Sequence, residues 1–532
     1  MNPIRLLRAP HRSRTLLLLV FAAAFSRLLL QAVAMPPYAG LDEAYHVARV
    51  WFVSHEGRNP SRVEPSIPKY LERSIAAEPS APWSFAALGP RWPEAVATRR
   101  SPWANPRIEV DGGTLFAGAN YQAQHPSAYY SLAGAALSLA PGRRQLDELL
   151  LLRVLSALLG ALGVVSAALI GARIYGRPGL LGGALLGSFP TWITLVGRTA
   201  NDPLAIAAAG FAIFIALRRR SGLGSTLLEA CLWSLAITSK ATIWPVLVAI
   251  PLAAVSRAWP VRRIGIVAGS ACLSLALTTL DLQQRTGSLL GDQGLTGEQG
   301  AQSSTPGSAA IPKMMKVLVA SAIWPGAQHG NALTVFGMAA FTLPLIILLG
   351  GMALRRLRRV RELPMLLGVC GAFAIAQGVH AWGFIREAVH HGRPEPLGGF
   401  EGWYLWSLGP LVLPLLVGWA FRLPRGRAVW PVLFVVWTVA WDIGIHEGGL
   451  FRDYSGETTP ASRSLVFRWG HEQEGLGRAN RLVLMSAAGM PDGVRYTLRL
   501  INIASLAGIV LLTLRTPLRG IRPSLRAAGE AT

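Results

Sequence analysis

The sequence predicts an all-α polytopic membrane protein of about twelve transmembrane helices (eleven to thirteen), and three observations carry that prediction. Of the 532 residues, 52% are hydrophobic and only 15% are charged, against roughly 25% charged in a soluble domain. The apolar residues gather in runs near the ~20 residues a bilayer crossing needs. The basic residues, which give a net charge of +23, cluster in short segments between those runs. Together these exclude a soluble enzyme, a disordered chain and a single-pass receptor. The 17 Trp suit aromatic belts at the two interfaces.

Taken in order, the apolar runs cover about 15–35, 149–172, 179–197, 203–217, 225–239, 241–256, 264–281, 332–354, 364–384, 402–421, 428–446 and 498–514. The first is too long for a signal-peptide core, and its end, Ala34-Met35-Pro36-Pro37, is a poor cleavage site. A further segment, 126–141, is short and lies between two prolines, so it predicts an interfacial or re-entrant helix. No repeat of twenty to fifty residues is present.

Charge then orients the runs. With 126–141 not spanning and the N-terminus in the cytoplasm, one side of the membrane collects Arg5, Arg8, Arg12 and Arg14, then Arg173 and Arg177, Arg218 to Arg220, and Arg257 with Arg262 and Arg263. The same side receives Arg355 to Arg361, Arg422 to Arg427 and the C-terminal arginines, with only Glu362 and Glu530 against them. The rest of the chain is close to neutral. The basic excess is therefore a positive-inside signal, and no basic stripe with base-stacking aromatics supports a nucleic-acid partner. Both termini are expected in the cytoplasm of the plasma (inner) membrane.

The resulting division is a cytoplasmic N-terminus (1–14), a membrane module (15–260) with a large first outer loop (36–148), and a second membrane module (261–514). The second module carries outer loops 282–331 and 447–497, and a cytoplasmic tail follows (515–532). The Trp- and Pro-rich first loop is expected to be an ordered domain with interfacial helices. The Gly-, Ser- and Gln-rich stretch 287–312 reads as a lid or a linker. Cys231, Cys272 and Cys370 all lie in apolar runs and are expected as small core residues, without a disulfide or CxxC framework.

Four polar elements fall on the outer side. After the first run comes Asp42-Glu43-Ala44-Tyr45-His46, whose carboxylates and imidazole share a helix face; they suit general base, metal or cation chemistry, or equally a helix start. Between the third and fourth runs lies Arg198-Thr199-Ala200-Asn201-Asp202-Pro203, which also fits an N-cap followed by proline. Lys240 sits in a tight connection on the outer side, where it either snorkels or meets an anionic ligand. Gln122, His125, Tyr129 and Tyr130 lead into the interfacial helix, where aromatics can also serve as anchors. Mid-span charge is sparse, Arg27 being the clearest. No HExxH, GxSxG, Walker or GxGxxG pattern is present.

The order and sidedness of these elements resemble the GT-C superfamily of membrane glycosyltransferases. They are closest to bacterial relatives of protein mannosyltransferases and aminoarabinose transferases, and to predicted membrane proteins whose outer loop opens on a PPDE…H pattern. The resemblance covers about residues 15–260. It implies a GT-C-like fold and transfer of a sugar from a polyprenyl-phosphate donor to an envelope glycan, lipid or protein acceptor on the extracytoplasmic face. In that reading Asp42 is the catalytic base, with Glu43 beside it. Lys240 meets the donor phosphate with Arg198, Asp202 matches the second-loop acid, and His46, Asn201, His125 and Tyr129 line the substrate. Gln122 stands where relatives often carry an acid, and Glu401-Gly402-Trp403-Tyr404 lacks the arginine of their Gly-Arg-Tyr. No cofactor is required by the pattern, and a divalent cation is left open. The rival readings are a lipid-linked-glycan flippase or transporter, and a polysaccharide polymerase or ligase.

Overall fold

The computed structural model describes residues 11–34, 43–64, 121–139, 145–218, 222–289, 363–390, 406–417 and 492–514. Among these every regular element is helical. Of the runs expected from the sequence, 332–354 and 428–446 lie outside the described residues; the others fall wholly or partly on described helices. By length and composition, Arg14–Val33, Asp147–Tyr175 and Val261–Thr286 are each sufficient to cross a membrane.

α1 (His11–Ala34) leads toward α2 (Glu43–Glu56), in the segment expected as the first outer loop. A 3₁₀ turn (Tyr121–Gln124) and α3 (Ala128–Ser138) close that loop, and α4 (Gln145–Tyr175) returns through the bundle. α3 has 11 residues, about 16 Å at 1.5 Å per residue, half of what a span needs. It packs on α2 instead. Ala44, Val47, Tyr130, Ala133 and Leu152 form a small core that seats the loop on α4.

α4, at 31 residues, is the central post: α1, α5 (Arg177–Ala184), α7 (Asp202–Ala216) and α12 (Gly409–Val417) all pack against it. Small residues permit the closest approach. A Cβ built on Gly171 would stand 2.0 Å from the Gly179 carbonyl oxygen, and one on Gly183 2.2 Å from the Ala168 nitrogen. A side chain at either position would push α4 and α5 apart.

Two runs that look continuous in sequence are broken. In 179–197, α5 tightens into a 3₁₀ turn (Leu185–Ser188), Phe189 is extended (φ −80°, ψ 126°), and α6 (Pro190–Val196) begins at the proline. The residue before a proline is pushed out of the helical region, and this accounts for the break. In 241–256, a 3₁₀ stretch (Ala241–Val248) containing Pro245 precedes α9 (Ala249–Arg257). Between it and α8 (Leu223–Ser239), Lys240 is fully extended (φ −157°, ψ 128°). Non-helical backbone at such depth survives only where protein or a polar cavity satisfies it.

α10 (Val261–Thr286) packs along α8, α11 (Leu363–His390) along the 3₁₀ stretch, and α13 (Asp492–Leu514) along α1. The cysteines depart in part from expectation. Cys231 and Cys272 are exposed and Cys370 is half-buried, all as free thiols. An apolar run has a lipid-facing side as well as a core side, and α8 and α10 present these two thiols outward.

Candidate active site

The site forms where α2, the Tyr121–Gln124 turn, the α6–α7 connection and the end of α8 meet. Its foundation is Glu43, the first residue of α2. Arg153 of α4 donates to both carboxylate oxygens (Nε to Oε1, 2.8 Å; Nη2 to Oε2, 2.7 Å), and the Thr199 N–H donates to Oε1 at 2.9 Å. Arg153 Nη1 reaches the Ala32 carbonyl at 2.9 Å. One buried fork-on-fork pair, the strongest form of ion pair, thus ties α1, α2, α4 and the 199 turn together. Asp42, expected as the base, lies outside the described residues, immediately before this anchored position.

One turn along α2, His46 Nδ1 lies 2.7 Å from the Tyr130 hydroxyl, which donates to Gln122 Oε1 at 3.0 Å. A phenol has one proton; with that committed to Gln122, the network assigns the imidazole proton to Nδ1 and leaves Nε2 as an acceptor. The His46 ring stacks beside His125, centroids 5.9 Å apart. Both imidazoles are held well below the ordinary value of 6.5 and so are neutral near pH 7. Burial is the main cause for each, followed by Arg198 for His46 and by Lys240 for His125.

A second turn along α2 brings Arg49, which fastens the loop rather than facing a substrate. It donates to the carbonyls of Gln122 and His125 (2.5 and 2.7 Å) and to Asn59, and lies 3.8 Å over the Tyr130 ring. Arg285, from the end of α10, grips the carbonyls of Ala123 and His125 from another direction and pairs with Asp281. These two arginines satisfy the backbone of residues 122–125 and fix where Gln124 and His125 stand.

The opposite wall is the α6–α7 connection. Its sequence fits an N-cap, yet Asn201 occupies the cap position without a side-chain cap bond. Asn201 Nδ2 donates instead to the Ser239 carbonyl (3.1 Å), and the Asp202 carboxylate takes the Lys240 ammonium at 2.5 Å. Arg198 stands 3.8 Å from the other Asp202 oxygen. Arg198, Asp202 and Lys240 are all at least 95% buried. The break at Lys240 therefore turns its side chain inward, and snorkelling does not describe it.

The structure brings Glu43, His46, His125, Arg198, Asn201, Asp202 and Lys240 into one neighbourhood. Tyr129 is adjacent but faces α4, its hydroxyl 3.1 Å from Ser156; Tyr130 is the tyrosine that meets His46. Arg153, Arg49 and Arg285 were not singled out from the sequence. For Arg153 a signal existed: an ionisable residue inside an apolar run demands a buried partner.

Around this cluster several buried polar atoms have no hydrogen-bond partner among the described residues: Arg198 Nη1, Thr199 Oγ1, Asn201 Oδ1, Asp202 Oδ2 and both amide atoms of Gln124. Buried polar groups are nearly always satisfied, so their concentration at one place marks where a polar ligand would bind. Among the described residues no group of three His, Cys, Asp or Glu could hold a metal. The two carboxylates placed here, Glu43 and Asp202, are already held by Arg153 and Lys240, which suits a divalent cation poorly.

Two crystal structures of ArnT from Cupriavidus metallidurans are similar to this chain. One is bound to undecaprenyl phosphate, with a TM-score of 0.44 and 15% identity, covering 93% of this chain and 75% of that one. The other is in the apo state, with a TM-score of 0.43 and 14% identity over 93% and 76%. No curated protein matches in sequence. The family described as predicted membrane protein (DUF2142) matches residues 25–293, from the middle of α1 past Arg285, and so encloses every residue of the site. The chain belongs to this DUF2142 family of predicted membrane proteins.

Proposed function

We propose that the protein is a membrane glycosyltransferase of GT-C type, moving a sugar from a polyprenyl-phosphate donor to an acceptor on the extracytoplasmic face. The observation that carries this reading is the buried, cation-rich and incompletely hydrogen-bonded cluster of Arg198, Asp202 and Lys240 facing two neutral histidines. A phosphate leaving group needs positive charge where its own negative charge develops. Lys240 and Arg198 supply it, and Asp202 holds both in place beforehand.

The remaining groups suit a sugar. Gln124, Asn201 and Thr199 provide neutral donors and acceptors for hydroxyls, and His46 Nε2 provides a further acceptor. Asp42, at the N-terminal edge of α2, is assigned as the base. In the reaction the acceptor oxygen bonds to the anomeric carbon and the bond from that carbon to the phosphate oxygen breaks. The electron pair leaves on the phosphate, and Asp42 takes the acceptor proton. Glu43, saturated by Arg153 and Thr199, is a positioning residue in this scheme rather than a second catalytic acid.

The test is native mass spectrometry of the detergent-purified protein offered a polyprenyl monophosphate, for wild type and Lys240→Ala. Retention by the wild type and loss in the variant is the expected result. Equal occupancy in both would overturn the donor assignment. Selective retention of a glycan-bearing polyprenyl diphosphate would move the reading to a polymerase or flippase.

A further inference from the structure

The α7–α8 hairpin has a polar cluster at each end. Asp202 opens α7 and Lys240 follows α8, so the site described above lies at one end. α7 has 15 residues, so Arg218, just past its end, stands about 24 Å away along the axis. The sequence places that end on the positively charged, cytoplasmic side.

Arg263, in the first turn of α10, organises this far end. Its guanidinium donates to the carbonyls of Arg218 (2.7 Å) and Ile215 (3.0 Å), closing the C-terminus of α7. It also donates twice to Glu229 Oε2 (3.0 and 2.6 Å) and lies 3.8 Å over the Trp259 ring. Arg263 is thereby fully committed.

Arg218 is not. It is 95% buried, with its guanidinium 4.9 Å over the Phe214 ring, and among the described residues neither Nη has a hydrogen-bond partner. Trp259 Nε1, equally buried and on the ring that the Arg263 guanidinium covers, also lacks an acceptor among the described residues. Arg263 and Arg173, at the end of α4, both act on Arg218 as like charges. Glu229 is one negative charge against these three arginines, so the cluster stays cationic whichever way Arg218 turns. A buried guanidinium without an acceptor is costly, and here the groups left over are N–H donors. α8, which brings Glu229 to this cluster, exposes Leu223, Leu227 and Leu228 in its first turns.

We propose that Arg218 and Trp259 form a binding site for the phosphate headgroup of an anionic phospholipid, with the acyl chains along the leucine face of α8. A phosphate diester accepts from a guanidinium fork, basic pockets between helices at the cytoplasmic face bind such headgroups, and the net positive charge selects an anionic lipid over a zwitterionic one. The apolar surface next to the cations is what distinguishes a lipid from a free anion. This site is independent of the transfer reading and shares no residue with it.

The test offers the delipidated full-length protein equal amounts of phosphatidylglycerol and phosphatidylcholine and reads retained lipid by native mass spectrometry. Wild type is expected to retain phosphatidylglycerol preferentially. Arg218→Gln should lower that occupancy about five- to tenfold, the worth of one basic residue at such a surface, while Arg218→Lys keeps part of it. Equal retention of the two lipids by wild type would overturn the proposal, as would undiminished phosphatidylglycerol on a folded Arg218→Gln. Should that variant not fold, the wild-type competition alone decides. In a parallel arm, inorganic phosphate raising the melting temperature as much as phosphatidylglycerol does, with no lipid retained, would assign the site to a free anion and defeat the lipid.

Discussion

Two buried acid–base pairs stand near each other in the candidate site, and they are built differently. Glu43 and Arg153 are saturated: the carboxylate takes two guanidinium bonds and a backbone N–H, and the guanidinium also closes the end of α1. Asp202 and Lys240 are open: one carboxylate oxygen has no hydrogen bond, and the neighbouring Arg198 keeps an unused Nη1. A saturated pair can only hold elements together. An open pair, equally buried, has hydrogen-bonding capacity left for a ligand. Burial alone does not separate structural from functional charge here; the completeness of the hydrogen bonding does.

The largest effect that would test this contrast is on Arg153. Arg153→Ala leaves Glu43 charged, buried and unpaired, and should cost about 3–5 kcal/mol of stability, read as a large fall in melting temperature or as failure to fold. Lys240→Ala should cost distinctly less, because Arg198 remains beside Asp202, while polyprenyl monophosphate retention is lost. If Lys240→Ala proved as destabilising as Arg153→Ala and left retention unchanged, the two pairs would be alike and the contrast would fail.

pH sharpens the comparison next. His46 and His125 take up protons only well below 6.5 in the folded chain and near 6.5 in the unfolded one. Between those values the unfolded state holds more protons, so stability is at its full value above pH 6.5 and falls as pH drops below it. The slope is about 1.4 kcal/mol per pH unit for each histidine. His125→Gln should roughly halve the slope. A melting temperature flat from pH 7 to pH 5 would mean the imidazoles are not buried neutral.

How much of this was legible in the sequence follows the same division. The residues of the open cluster were marked in the sequence: His46, 122–130, 198–202 and Lys240 stand out because polar groups at the ends of apolar runs are few, while Asp42 lies outside the described residues. Gly197 to Pro203 read ambiguously, since a cap and a ligand-binding turn use the same residues; only the direction of the Asn201 and Asp202 side chains separates them. The saturated pair was hidden. Arg153 follows Glu43 by 110 residues inside an apolar run, and nothing local marks the two as partners. The loop clamps, Arg49 and Arg285, were missed for a related reason: their partners are backbone carbonyls, which carry no sequence signature. The breaks at Pro190 and Lys240 were hidden by hydropathy, which measures apolarity and is blind to a change of backbone direction.

The smallest predicted effect provides the baseline for the comparison. Asn502 of α13 donates to the Ala23 carbonyl of α1 at 2.8 Å, buried and remote from both pairs. A carbonyl in mid-helix already accepts its intrahelical bond, so removing the amide strands no unsatisfied partner. Interhelical bonds of this kind average about 0.6 kcal/mol within membranes. Asn502→Leu should therefore shift the melting temperature only slightly in either direction, because apolar packing replaces the lost bond, and leave ligand retention unchanged. A loss as large as that of Arg153→Ala would show that cross-helix polar contacts matter here whatever their saturation. The distinction between open and saturated pairs would then no longer explain which residues the fold needs and which the site uses.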